Sequence, residues 1–277
     1  MLSTGRFPDA GRRLARYRNT LASEPTWLAL RARAAVTPRH KPGTVRLGGN
    51  SVAYPDLHSV MAQYHDIFRE RIYHFETSSP APRIVDAGGY VGMSALYFKS
   101  VFPDARIDTF EPDPALVALI RRNLETNAVT GVTVHQAAVG EAAGSAGYVS
   151  DGADGGMVVA NGNGNGNGNG MTVPIVPLAE VIDGPVDFLK LDVEGSELAA
   201  LRGAGDRLRL VDQIVMEYHG WPDEDQRLGA ILELLDEQGF RYLVNHADYF
   251  VNPAVRPPFR IAPDTRWAGL VYARRLA

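Results

Sequence analysis

The stretch RIVDAGGYVGMS, residues 83–94, decides how the chain is read. Arg83–Ala87 is a short apolar run that suits a buried strand. Gly88, Gly89 and Gly92 then make a turn, and a helix is expected over 94–101. Glycine lets the backbone bend sharply and approach a ligand, and the following helix presents the positive end of its dipole at the same place. Outward from it the pattern repeats. ARIDTF (105–110) reads as a second strand and PALVALIRRNLETN (114–127) as a helix; VTVHQAA (132–138) reads as a third strand. VDFLKL (186–191) precedes a helix over 197–202, and QIVMEY (213–218) precedes one over 227–238. Residues 242–244 and LVYAR (270–274) close the series. Strands and helices alternating at this spacing mean parallel strands with crossover helices, a doubly wound α/β sheet.

The flanking segments differ. SVMAQYHDIFRERIYHF (59–75) carries apolar residues at three- and four-residue spacings, which predicts an amphipathic helix ended by TSSPAP (77–82). This divides the chain into a helical arm and lid segment over 1–80 and the α/β domain over 81–277. His58, His65 and His74 fall in the lid segment. Between the third and fourth strands, residues 140–170 are rich in glycine and end in five Asn-Gly pairs, 161–170. A flexible loop is expected there, because alternating glycine buries no core. MTVPIVP (171–177) is expected to return as an edge strand, where proline is tolerated.

The chain has 277 residues, a net charge of −4 and no cysteine, which excludes disulfides, thiolate catalysis and cysteine-bound metal. The amino-terminal residues lack the apolar core of a secretion signal and no run is long enough to cross a membrane, so a cytoplasmic protein without membrane partners is expected. Residues 1–44 hold nine basic and two acidic side chains. Such an arm fits either nucleic acid or, with Leu14, Tyr17, Leu21, Trp27, Leu28 and Leu30, docking on the body or on a second subunit. The acidic remainder argues against a broad phosphate-binding face. A homodimer is the partner the arm suits.

Five strand ends carry the chemistry. Tyr90 stands where the second glycine of a dinucleotide fingerprint would be, and Asp86 would repel a pyrophosphate. A carboxylate there suits a cationic amino group, such as that of the methionine part of S-adenosylmethionine. Glu111, in FEPDP (110–114), is placed to accept hydrogen bonds from ribose hydroxyls, and Gln136 is placed to reach an adenine edge. KLDVEGSE (190–197) puts Asp192, Glu194 and Glu197 beside the crevice, with Glu197 read as a helix-start carboxylate. Glu217 and His219 lie two apart on one strand and share a face. His219 is a candidate general base, and Asp192, Glu217 and His219 together form a candidate site for Mg²⁺.

With these residues quoted, the chain from about Tyr54 onward resembles the FkbM-like family of S-adenosylmethionine-dependent methyltransferases. The resemblance rests on IVDAGGYVGMSALYF, FEPDP, the NLETNAV…HQAAVG stretch, and above all FLKLDVEGSELAALRG followed by IVMEYH. It implies a seven-stranded sheet with its last strand antiparallel. It also implies O-methylation of a small-molecule hydroxyl, on a polyketide, sugar or related natural product of secondary metabolism. Carried over, Asp86, Gly88, Gly89, Gly92 and Ser94 would hold the methionine and ribose side of the cofactor. Glu111 would take the ribose, Gln136 and Ala137 would lie near adenine, and Asp192, Glu217 and His219 would face the acceptor. The competing readings are a nucleic-acid methyltransferase using the arm, a nicotinamide enzyme, and a non-catalytic cofactor-binding or dimerisation protein.

Overall fold

The computed structural model describes residues 25–150, 155–159, 170–220, 225–246 and 267–276. The chain divides into two units, Met1–Ile72 and Tyr73–Ala277. The expected boundary after residue 80 therefore moves upstream, because Tyr73 and Phe75 belong to the second unit's core. Phe75 stacks on Phe188 with ring centroids 4.4 Å apart and meets Phe102 at 4.7 Å. Burying one such ring is worth roughly 1.5–3 kcal/mol.

In the first unit, residues 25–34 form helix α1, with Leu30 buried and Leu28 exposed. Trp27 lies against His65 at 5.1 Å and under the Arg69 guanidinium at 4.9 Å. Strands β1 (Gly43–Leu47) and β2 (Asn50–Tyr54) make an antiparallel hairpin. Its two-residue turn is Gly48-Gly49, both at positive φ, as a tight hairpin turn requires. Asp56 caps α2 (Leu57–Gln63) by accepting from the amides of His58 and Ser59. The helix runs on as a π-helical stretch, Tyr64–Glu70, and Arg71 in the left-handed region stops it. The predicted helix over 59–75 thus ends five residues early. Residues 1–24 of the basic arm, with Leu14, Tyr17 and Leu21, lie outside the described residues.

The second unit is built on a seven-stranded sheet. Its strands are β3 (Arg83–Ala87), β4 (Arg106–Phe110), β5 (Val132–His135), β10 (Val186–Leu191), β11 (Val211–Gly220), β12 (Phe240–His246) and β13 (Trp267–Arg275). They lie in the order β12-β13-β11-β10-β3-β4-β5. β13 runs antiparallel to both its neighbours, and the β3, β4, β5, β10 and β11 pairings are parallel. This is the expected sheet, including the antiparallel last strand. Helices α3 (Met93–Val101) and α4 (Pro114–Thr126) connect β3 to β4 and β4 to β5. A short helix α5 (Leu178–Val181) precedes β10, and helices α6 (Glu197–Ala204) and α7 (Leu228–Glu237) cover the β10–β11–β13 side, where Leu189, Leu191, Ile214, Met216 and Val271 pack with Leu201, Ile231 and Leu235. The chain leaves β3 toward β4 but leaves β10 toward β11, so strand order reverses between β3 and β10. The crevice at their carboxyl ends is where an open α/β sheet binds ligands.

The region 140–170 departs from a single loop. β6 (Ala138–Gly140), β7 (Gly144–Val149), β8 (Met157–Val159) and β9 (Met171–Pro177) form a second sheet in the order β6-β9-β7-β8. Tyr148 and Val173 fill its small core with Ala138, which supplies the buried surface that glycine content alone hides. The third strand predicted over 132–138 therefore splits: β5 stops at His135, and Ala138 onward pairs with β9. β9 is an inner strand, not an edge. Proline is accommodated because pairing with β6 begins only at Ile175, after Pro174, and Pro177 sits at the strand's last position. The Asn-Gly repeat up to residue 169 lies outside the described residues.

Candidate active site at the carboxyl ends of the strands

Strand register sets the floor of the crevice. Asp86 stands opposite Thr109 of β4 on one side and Lys190 of β10 on the other. Its side chain is wholly enclosed. Oδ2 accepts from the Ser94 hydroxyl at 2.6 Å and the Thr109 hydroxyl at 3.0 Å. Oδ1 has no aligned donor and meets the Lys190 ammonium as an ion pair at 3.3 Å. The cation beside Asp86 is thus the protein's own lysine, and Asp86 with Ser94 forms the base on which the glycine turn rests rather than a wall of the cleft. Lys190 also donates to the Gly88 carbonyl at 2.6 Å and lies 3.5 Å from Asp192. Burial alone would lower its pKa, but the charges of Asp86, Asp192 and Glu217 win and raise it.

The turn itself is closed on the protein. Gly88 sits at φ +95°, and a Cβ there would fall 1.9 Å from the Asp192 carbonyl oxygen, so only glycine fits. The amides of Gly88 and Gly89 both donate to the Phe110 carbonyl, at 3.0 and 2.9 Å. The Tyr90 amide donates to Glu111 Oε2 at 2.9 Å, and the Gly92 amide to the Gly89 carbonyl at 2.8 Å. A pyrophosphate would need such N–H groups for itself. These four are spent, and a carboxylate stands at the mouth. Glu111 takes a second amide from Asp113 at 2.9 Å and is 4% exposed. Burial pushes its pKa up to about 8, against the pull of those two amides. Gln136 is exposed just past the end of β5, and Ala137 is buried beside it.

On the other flank the expected trio separates. Glu217 accepts a short hydrogen bond from the Tyr73 hydroxyl. Burial, together with the neighbouring Asp192, raises Glu217 to about 7, and burial lifts Tyr73 well above its usual range. His219 turns to Glu197 instead, its Nδ1 lying 3.1 Å from Oε1. Its Nε2 lies 3.7 Å from Glu194 Oε2. Among the described residues, Asp192, Glu194 and His219 bring one donor atom each within 4.8 Å of one another. Glu194, not Glu217, therefore completes the set that is able to converge on a cation, two carboxylates and an imidazole. Burial would depress His219, yet the bond to Glu197 and the charge of Glu194 raise it to about 10. At neutral pH this imidazole is protonated.

Three residues here were given no part in the site by the sequence reading, Tyr73, Thr109 and Lys190, and Glu194 was placed beside the crevice but not with Asp192 and His219. One signal was legible. A lone lysine inside the apolar run VDFLKL has to be paired once buried. Tyr73 and Thr109 gave no such signal, since only strand register and tertiary packing bring them to the site.

Comparison with known proteins fits this geometry. The methyltransferase FkbM domain matches residues 86–242, from the enclosed aspartate to β12. The chain belongs to the FkbM methyltransferase family. Among its relatives, Methyltransferase 1 of Beauveria bassiana (strain ARSEF 2860) is 29% identical over 209 residues, covering 67% of this chain and 83% of that protein. Methyltransferase sdnD of Sordaria araneosa is 28% identical over 235 residues, covering 72% and 89%. A solved FkbM methyltransferase from Methylobacillus flagellatus KT aligns at 20% identity with a TM-score of 0.47, covering 78% of this chain and 53% of that one. This FkbM family member is accordingly a methyltransferase. Among the described residues, no helix is long and apolar enough to cross a membrane.

Proposed function

We propose that this methyltransferase uses S-adenosylmethionine to methylate a hydroxyl of a small molecule, of the polyketide or sugar kind found in natural products. The observation that carries the cofactor half is the closed glycine turn. Its amides are spent within the protein and Glu111 stands at its mouth, so the turn offers acceptors that suit the hydroxyl donors of a ribose diol and no donors for a phosphate. The residues present fit the cofactor: Glu111 keeps lone pairs free for ribose hydroxyls, Gly88 and Gly89 hold the turn tight against Asp192 and Thr109 so that Glu111 is brought to its mouth, and Gln136 with Ala137 would lie toward adenine. When bound, S-adenosylmethionine supplies the electrophile, a methyl group on a sulfonium centre. Because that group is already activated, the protein's task is positioning and exclusion of water.

An alcohol acceptor must lose its proton as it attacks. Asp192, partly exposed and next to the turn, takes that proton. His219 is protonated at neutral pH and cannot do so; it donates a hydrogen bond to the acceptor instead, a change from the base role its sequence position suggests. Mg²⁺, if bound, would be held by Asp192 and Glu194, with His219 joining them only in its neutral form.

Calorimetric titration of the full chain with S-adenosylhomocysteine and with NADH tests the cofactor. Binding of the first alone supports the reading, and binding of NADH alone overturns it. Transfer of labelled methyl from S-adenosylmethionine to a panel of sugars, phenols and polyketide alcohols tests the acceptor. Label appearing only on amines or nucleic acid would sink the hydroxyl assignment.

A further inference from the structure

The cleft contains one more carboxylate whose placement is not explained by starting a helix. Glu197 opens α6, and helix-start acids commonly face solvent, where the dipole favours them. This one is 1% exposed. A single oxygen, Oε1, accepts from two donors, the Gly195 amide at 3.0 Å and His219 Nδ1 at 3.1 Å. Gly195 is at φ +96° and Glu194 at φ +50°, so the preceding turn is wound tightly enough to bring its own amide onto Glu197 and the Glu194 carboxylate onto the far nitrogen of the same imidazole. Left-handed backbone at a glutamate is sparsely populated and is retained where the surroundings impose it.

We propose that Glu197 is the positioning residue of the acceptor site: it ties down Nδ1 of His219 so that Nε2 faces the side of the cleft lined by Asp192 and Glu194. This rests on the reading of that flank as the acceptor side. The arrangement follows a general rule for imidazoles that act on a ligand, in which a buried carboxylate on one nitrogen selects the tautomer and orientation of the other. The groups acting on His219 are Glu197 from α6, Asp192 and Glu194 from the turn after β10, and Glu217 from its own strand. Arg227 lies near the same turn, its guanidinium 3.3 Å from the Gly195 carbonyl. Glu197 is the one in direct hydrogen-bond contact.

The test is nuclear magnetic resonance of the imidazole nitrogens in the isotope-labelled full chain, with His219 identified by its loss in His219→Gln. Expected in the unsubstituted protein is an Nδ1 proton on His219 that is shifted downfield and protected from exchange by its bond to Glu197. Glu197→Gln, which is nearly isosteric and still offers an oxygen acceptor, should keep that proton on Nδ1. Glu197→Ala should lose the protected Nδ1 proton and leave the neutral proton on Nε2. S-adenosylhomocysteine binding, read by calorimetry, should change less than about threefold in Glu197→Gln. A protected Nδ1 proton that persists in Glu197→Ala would overturn the proposal. So would a folded Glu197→Gln that loses S-adenosylhomocysteine binding while the His219 proton stays in place, since Glu197 would then serve the cofactor. Failure of the unsubstituted protein to bind S-adenosylhomocysteine would instead count against the proposed function, leaving the imidazole measurements to decide on Glu197.

Discussion

At the scale of single residues, buried charge governs what is replaceable. Lys190 and Asp86 are 2% and 0% exposed and meet at 3.3 Å between adjacent strands. Removing one partner leaves the other enclosed and uncompensated, so Lys190→Met should destabilise the protein by about 3–5 kcal/mol. Urea denaturation measures this, and a midpoint equal to that of the unsubstituted protein would show the pair to be dispensable. Glu111 makes a prediction about binding. Its carboxyl stays protonated up to about pH 8 in the free protein. Ribose hydroxyls donate to the ionised form, so binding of S-adenosylhomocysteine must release that proton. Affinity should therefore rise with pH by up to tenfold per unit below about pH 8 and level off above it. Calorimetry across that range checks the slope, and Glu111→Gln should bind weakly with no slope at all.

At the scale of elements, close backbone approach sets the tolerances. Helix α6 crosses the end of β6 so tightly that a Cβ on Gly203 would lie 2.1 Å from the Gly140 carbonyl oxygen and 3.1 Å from the Glu141 Cα. Both are backbone atoms, so the helix itself has to shift. Gly203→Ala should cost about 1–3 kcal/mol, although alanine is the better helix former. Because α6 also carries Glu197, the shift should lengthen the bond to His219 and weaken the protection of its Nδ1 proton. Thermal unfolding and the same imidazole resonances check both effects. A stabilised Gly203→Ala protein would mean that α6 has slack against the small sheet.

At the scale of the molecule, the raised pKa values add up to a pH dependence. Glu111 moves from 4.5 to about 8 and His219 from 6.5 to about 10, so in each the protonated form is favoured by folding. Their contributions are complete below the unfolded values and are lost as pH rises through the folded ones. The second unit should therefore lose thermal stability between about pH 4.5 and pH 10, through Glu111 up to about 8 and through His219 from 6.5 upward, and Glu111→Gln with His219→Gln should flatten that decline. Asp56 in the first unit works in the opposite sense. Burial would raise it, but the His40 amide, Arg39 and the helix-cap amides bring it to about 2, so its contribution holds above 3.8 and is lost on acidification toward 2. Scanning calorimetry over both ranges checks the signs, and a flat profile from neutral to alkaline pH would contradict them.

The sequence by itself determined the α/β class, the positions of β3, β4, β10 and β11, and the glycine turn with Glu111 after the next strand. Those features are local: an apolar run, a glycine, an acidic strand tip. The antiparallel slot of LVYAR, and the expectation that Asp192, Glu217 and His219 face the acceptor, came from the resemblance of whole motifs. Only the tertiary structure decided the rest. Cross-strand register, invisible to periodicity, put Lys190 beside Asp86 and so turned a supposed cofactor contact into a buried ion pair. Packing of Tyr148 against Val173 drew β7, from a stretch whose glycine content reads as loop, onto the expected strand β9 in a second sheet. Tyr73, 144 residues from its partner in the chain, captured Glu217, and the turn at 192–196 gave His219 to Glu197 and Glu194. Pairings of that kind depend on which surfaces meet after the sheet is assembled, and no local pattern encodes them.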